Sequence, residues 1–280
     1  MKGSALVVAA ALVAAGAGQA RAQSEYLSEC VAAAVRRAEA EGSYRGYGLV
    51  KESFCLLGGW ITQGHMLQYS MTLKAGRRYL FVGAGDRDVK DLDLTVTDGP
   101  NVVSDTDDGN TPLVHVEAEA TVDVTITLTN ASGSGQPDFC GLIILEDQGG
   151  QANLAALGQA AAGLCQAINA RGSDWETDKA SDGSSWCLMG GLMAAGEALS
   201  LSRSFRAGGY LLVGWGDARA GDVDALVLDE AGEVLAADTA TDNRPEARFE
   251  PREPLRATLV LKMHQAKGDA FAVCAVLKRK

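Results

Sequence analysis

Two halves of this chain carry the same landmarks in the same order. Cys55-Leu56-Leu57-Gly58-Gly59 returns as Cys187-Leu188-Met189-Gly190-Gly191, and Tyr79-Leu80-Phe81-Val82-Gly83-Ala84-Gly85-Asp86 returns as Tyr210-Leu211-Leu212-Val213-Gly214-Trp215-Gly216-Asp217. Asp91 and Asp93 match Asp222 and Asp224, Asp105-Thr106 matches Asp238-Thr239, and Asn110 with Pro112 matches Asn243 with Pro245. Even the cysteines keep step, Cys30, Cys55 and Cys140 against Cys165, Cys187 and Cys274, with offsets between 131 and 135 residues throughout. An order kept over so long a span is an internal duplication, so whatever one half folds into, the other must fold into as well. The division expected from it places one copy at 23–150 and the other at 151–280, joined around Gln148-Gly149-Gly150-Gln151.

Inside each copy the hydrophobic period begins helical and then becomes two. Leu27, Val31, Ala34, Val35 and Ala38 fall on one helical face, with Ser24 as the expected cap and Gly42 as the expected stop. Asn153 to Ile168 is the matching segment of the second copy, ending near Gly172. After Cys55 apolar and polar residues alternate: Leu67, Tyr69, Met71 and Leu73, then Leu92, Leu94 and Val96, then Val122, Val124, Ile126 and Leu128. Short strands separated by Gly, Asp, Asn and Pro turns predict a mainly β chain. The expected fold is two tandem antiparallel β-sandwiches of jelly-roll or Greek-key type, each preceded by one short α-helix.

The run Tyr69 to Leu73, Ala75-Gly76, Tyr79 to Val82 and Asp91-Leu92-Asp93-Leu94 resembles bacterial pre-peptidase C-terminal domains, over about 80 residues of each copy. Those are β-sandwich modules attached to secreted proteases and other exported proteins. The resemblance implies a non-catalytic accessory or binding module, and it implies calcium.

Composition narrows the partners. A formal net charge of −11 argues against nucleic acid or an anionic membrane surface, because phosphate contacts need clustered Lys and Arg. Residues 1–22 read as a signal peptide: Lys2 is the positive start, Leu6 to Val13 the apolar run, and Ala20-Arg21-Ala22 a small-x-small cleavage site. No later stretch is long and apolar enough to insert in a bilayer. The expectation is a periplasmic or secreted protein.

Export makes disulfides the default for six cysteines. Three per copy leaves one over in each, so two bonds inside copies and one between them accounts for all. One scheme pairs Cys55 with Cys140, Cys187 with Cys274 and Cys30 with Cys165; the other pairs Cys30 with Cys55 and Cys165 with Cys187.

Enzyme signatures are scarce. None of the three histidines, His65, His115 and His264, is repeated, and no nucleophile elbow, zincin motif or phosphate loop is present. Gly83-Ala84-Gly85 reads as a turn or bulge. The repeated acidic sets Asp86, Asp91, Asp93 and Asp217, Asp222, Asp224 are the candidate metal ligands, since hard carboxylate oxygens suit Ca²⁺. The competing reading makes them turn caps accepting backbone N–H groups. Trp60, Trp175, Trp186 and Trp215 read as core residues, with Trp215 the place for a sugar to stack if one binds. The function expected is an exported, non-enzymatic binding or accessory module for a protein, a glycan or a cell-surface component. The alternative is a hydrolase, or an enzyme subunit, with its site between the two copies.

Overall fold

The computed structural model of the protein describes residues 21–147, 154–179 and 185–280. All but the last two residues of the expected leader, and the expected joint at 148–151, lie outside the described residues. The first copy comprises helix α1 (Arg21–Arg45) and strands β1 (Tyr47–Leu49), β2 (Phe54–Ile61), β3 (Met66–Leu73), β4 (Arg77–Gly85), β5 (Asp91–Asp98), β6 (Asn101–Asp105), β7 (Leu113–Ala118), β8 (Val122–Ser132) and β9 (Asp138–Asp147). The second comprises α2 (Leu154–Ala170), β10 (Trp175–Thr177), β11 (Leu188–Met193), β12 (Ala198–Phe205), β13 (Tyr210–Gly216), β14 (Ala220–Leu228), β15 (Val234–Asp238), β16 (Glu246–Phe249), β17 (Leu255–Ala266) and β18 (Ala270–Arg279). Helix α1 starts before the expected cap and runs past Gly42. It ends where Gly46, at φ +79°, takes the left-handed turn that terminates helices. Ser24, inside the helix, instead donates its hydroxyl to Asn169 Oδ1 on α2 at 2.7 Å.

The chain is mainly β and antiparallel, as expected, but the copies are not two separate sandwiches. Each owns a four-stranded outer sheet, ordered β3-β8-β5-β6 and β12-β17-β14-β15. The inner sheet is shared: ten strands with the path β16-β13-β18-β11-β2-β9-β4-β7, β10 adding to β18 and β1 to β9. The two helices lie on one face of that sheet and pack on each other, and the outer sheets lie on the opposite face.

The join is a ladder between β2 and β11 in which Leu57 faces Met189, Gly58 faces Leu188 and Leu56 faces Gly190. Leu57 and Met189 are equivalent residues of the duplication, and the two flanking pairs exchange under it. The copies are therefore related by a pseudo-two-fold axis through the Leu57–Met189 pair, the arrangement of an isologous dimer written into one chain. The repeated Gly-Gly explains itself here. A Cβ on Gly58 or Gly190 would sit 2.9 or 2.8 Å from the ring tip of Phe139 or Phe271. One on Gly59 or Gly191 would sit 2.7 or 2.1 Å from Leu67 or Leu199 Cδ1. Each glycine pair lets a phenylalanine close down on one face and a leucine on the other.

Burial patterns follow from the layers. In β3, Leu67, Met71 and Leu73 are buried while Gln68 and Thr72 are exposed, because one face meets the inner sheet and the other meets water. Strands β2, β11 and almost all of β9 are buried at every position, because helices cover one face and outer sheets the other. Phe54, Phe81, Phe139 and Phe271, all within 2 % of full burial, each contribute about 1.5–3 kcal/mol of transfer free energy. Gly83 and Gly85 lie inside continuous β4 and form no turn. They are small because Pro112 Cγ and Val89 Cβ would stand 2.8 and 2.4 Å from their Cβ atoms.

The expected disulfides are not formed: all six cysteines are buried free thiols. Register forbids the first scheme. Cys140 faces Gly59, so Cys55 lies four residues further along β2, roughly 13 Å away when a bridge needs Cα atoms within about 7 Å. Cys274 faces Met189 rather than Cys187, a diagonal of about 7–8 Å. Cys30 donates its thiol to Ala84 O at 3.1 Å and Cys165 donates to Ser24 O at 3.8 Å, so these two helical thiols address different partners. Pairs Cys30–Cys55 and Cys165–Cys187 are likewise unformed. The third cysteines are not even equivalent, since Cys140 faces Gly85 while Cys274 faces Gly214, the counterpart of Gly83.

Candidate functional site: acidic turns and open edge strands

The six aspartates expected to form two matching triads divide differently. Asp86, at the end of β4, is 1 % exposed and works as a cap: its Oδ2 accepts the Phe139 N–H at 2.8 Å and its Oδ1 the Asp88 N–H at 2.9 Å. Asp91 and Asp93 stand half-buried on the outer face of β5, with Asp91 Oδ1 accepting the Gly109 N–H at 3.2 Å. Their carboxylates do not join Asp86. Among the described residues the one acidic group whose ligand atoms all lie within 4.8 Å of one another is Asp86, Asp88 and Asp138. Sequence reading missed Asp88 because its counterpart is Arg219, and missed Asp138 because it lies on β9, far along the chain.

In the second copy Asp217 accepts the Arg219 and Ala220 N–H groups at 2.9 and 3.1 Å, and the Arg219 guanidinium closes on its Oδ2 at 3.1 Å. Asp224 pairs with His264 Nε2 at 2.6 Å, and Asp222 is buried beside a bulge opposite Gln265. These three do not converge either.

The electrostatics differ accordingly. Burial pushes the Asp86 carboxyl above its usual range against the pull of its two N–H donors, and the nearby charges of Asp138 and Asp88 push the same way. Asp93 is raised by its partial burial and by Asp91 and Asp105. Burial also raises every thiol, to about 12 for Cys55, Cys165, Cys187 and Cys274 and well above the ordinary value for Cys30 and Cys140.

A second feature repeats without having been singled out in the sequence. Strands β6 and β15 are the outer edges of their sheets, β6 paired only to β5 and β15 only to β14. Each carries two consecutive exposed aliphatic residues, Val102 and Val103 (61 % and 44 % exposed) and Val234 and Leu235 (57 % and 41 %). The pairs are not in register, since Val103 faces Val96 while Ala236 faces its counterpart Val227, and Leu235 is an extra, bulged residue. Neighbours on a regular strand point to opposite faces, so both faces of the β6 edge are uncovered there, whereas β15 is bulged at Leu235. The signal was available as an apolar pair separated by one or two residues from a turn glycine, Gly232 or Gly99, but a strand of five residues has too few alternations to reveal which faces are bare.

Trp215, the expected sugar platform, is occupied: Gly163 of α2 packs against its ring so closely that a Cβ would stand 2.3 Å away, and the Arg244 guanidinium lies 4.3 Å from the ring centroid. Trp60 packs edge-on to Tyr26 and Phe139 and donates to Thr177 Oγ1 of the other copy at 3.0 Å.

No family model matches the chain, and no curated protein matches it. Among solved structures it is similar to PliG, a periplasmic inhibitor of g-type lysozyme from Aeromonas hydrophila, at 15 % identity and TM-score 0.25 over 33 % of this chain and 86 % of that one. The M60 catalytic domain of Clostridium perfringens ZmpB with its two CBM51 domains matches at 10 % and 0.24, over 76 % of this chain and 33 % of that one. A Pleurotus ostreatus lectin in complex with GalNAc matches at 10 % and 0.23, over 84 % and 82 %. No helix among the described residues is long and apolar enough to cross a membrane.

Proposed function

We propose that the protein is an exported, non-enzymatic binding module that takes a protein partner along the open edges of its two outer sheets. The observation that carries this reading is the duplication of an uncovered edge: β6 and β15 each present a row of unpaired backbone groups and an exposed aliphatic pair. Proteins blunt such edges with charges, proline or cover, because a bare one is a template for another strand. Here the outer edge is open in both copies, regular in β6 and bulged at Leu235 in β15. An extended segment added to either edge would gain backbone hydrogen bonds from the strand and specificity from Val102–Val103 or Val234–Leu235. Two such edges, one on each outer sheet, would also let a repeated or dimeric partner bind bivalently. The signal-peptide pattern supports export, and the resemblance to pre-peptidase C-terminal domains fits an accessory role. The histidines fit no shared site: His115 sits 3.3 Å from Glu41 in one copy and His264 pairs with Asp224 in the other.

Photo-crosslinking residues placed at 103 and 235 test the reading in the exporting cell, with Gln68 on exposed β3 as control. The expected result is the same adduct protein at both edges, none at Gln68, and its loss in Val102→Lys/Val234→Lys. No adduct at either edge, or binding only to a glycan array, would overturn the assignment, and an adduct with a second copy of the chain would replace it by self-assembly.

A further inference from the structure

We propose that the first copy holds a single hard divalent cation, Ca²⁺ by class, between Asp86, Asp88, Asp138 and the side-chain oxygen of Asn130, and that the second copy has replaced this ion with Arg219. The set shares only Asp86 with the triads expected from sequence.

Three carboxylates lie within 4.8 Å of one another, two of them almost fully buried, Asp86 at 1 % and Asp138 at 3 % exposed. Charges so placed repel strongly in a medium poorer than water, and Asp138 and Asp88 both push the Asp86 carboxyl up. Arg87, next in sequence, turns away to Glu25 and Glu29 of α1, 3.3 and 3.4 Å distant.

Asn130 supplies the independent sign of a missing ligand. It is fully buried; its amide nitrogen donates to Asp138 Oδ2 and to Ile61 O, both at 3.0 Å, while its Oδ1 has no partner among the described residues. A buried oxygen acceptor left unmet is costly, and proteins rarely tolerate one without a water or an ion. Gly133 lets the two side chains lie against the loop, for its Cβ would stand 2.0 Å from Asp138 Oδ2 and 3.1 Å from Asn130 Oδ1. Ser134 next to it donates its N–H to Asp138 Oδ2 at 3.2 Å and its hydroxyl to Oδ1 at 2.6 Å. All the oxygens are hard, the donor set that suits Ca²⁺ over transition metals.

The second copy serves as an internal control. Asp86 N–H donates to Phe139 O and Asp217 N–H to Phe271 O, so Asp138 and Ala270 occupy the same place. Asn130 faces Leu92 while Met263 faces Val223, which makes them counterparts. Where the first copy has Asp88, Asp138 and Asn130, the second has Arg219, Ala270 and Met263. Asp217 alone is retained, and Arg219 Nε and Nη2 meet its Oδ2 at 3.2 and 3.1 Å. One copy carries its positive charge covalently and has shed the extra oxygens; the other keeps the oxygens and lacks the charge.

Calorimetric titration of the full chain with calcium chloride, paired with melting in calcium and in chelator, tests the proposal. The expected stoichiometry is one ion per chain, with Kd on the order of 10⁻⁴–10⁻³ M, the range of extracellular modules, a Tm several degrees higher in calcium, and a much smaller response to Mg²⁺. Asp88→Arg, which copies the second half's solution, should abolish the heat and melt at the same temperature with or without calcium, above the wild type in chelator. Asp88→Asn should weaken binding at least tenfold without unfolding the chain, since the half-buried side chain caps nothing. Asp91→Asn and Asp93→Asn should leave the titration unchanged. Absence of heat and of a Tm shift in the folded wild type would overturn the site, as would two ions per chain, an equal response to Mg²⁺, or a response lost in Asp91→Asn and kept in Asp88→Arg.

Discussion

Arg203 and Asp178 form an ion pair inside the second copy, their side chains 1 % and 5 % exposed, and the first copy shows what the same place looks like without charge. Arg203 occupies on β12 the inward position that Met71 occupies on β3. Asp178 N–H donates to Val276 O as Val50 N–H donates to Ile144 O, so Asp178 stands where the first copy has Val50. Asp178→Val alone leaves a guanidinium dry, held by its 2.8 Å bond to Trp186 O and by the Phe205 ring 4.6 Å from it, and Arg203→Met alone leaves a buried carboxylate. Removing one partner of a buried pair costs about 3–5 kcal/mol, whereas replacing both by apolar groups of similar volume is often neutral or favourable. Against that, the double variant strips Trp186 O of its donor, a cost of about 1–3 kcal/mol. The double variant Asp178→Val/Arg203→Met should therefore lie within about 2 kcal/mol of wild type, while the singles sum to roughly 6–10 kcal/mol, a coupling of at least about 4 kcal/mol. Each single should lower Tm by roughly 6–20 °C. Urea unfolding followed by circular dichroism, with m-values compared across the four proteins, measures the cycle. A double variant as unstable as the sum of the singles, or singles costing less than about 1 kcal/mol, would refute the reasoning.

Two further outcomes follow from the free thiols and from the shared sheet. Because burial holds all six thiols protonated well above neutral pH, the native protein should react with none of them at pH 8, and urea should release six equivalents to a thiol reagent; fewer than six on unfolding would mean that disulfides form after all. Residues 154–280 expressed alone should fold but associate, because the cut bares the β11 edge and the face of α2 that meets α1, and sedimentation showing a stable monomer would contradict the pseudo-dimer.

Much of this architecture was legible in the sequence, and for a local reason. The alternation of Leu67, Met71 and Leu73 with Gln68 and Thr72 is set by the pleat alone, and it needed no knowledge of the rest of the chain. The duplication was visible because the two copies kept the same turn and core residues at the same spacing. What required tertiary structure was everything that depends on register between distant segments. Cys140 faces Gly59 rather than Cys55, which no count of cysteines could say. Strands β2 and β11 merge two expected sandwiches into one sheet, because a fully buried strand with Gly-Gly at its centre pairs as well across the duplication as within it. Asp138 reaches Asp86 through the pairing of β9 with β4, while Asp91, only five residues from Asp86, is carried to another sheet by the turn between them. Spacing in a sequence reports which side chains share a strand face; which carboxylates share a site is decided by how the strands are laid side by side.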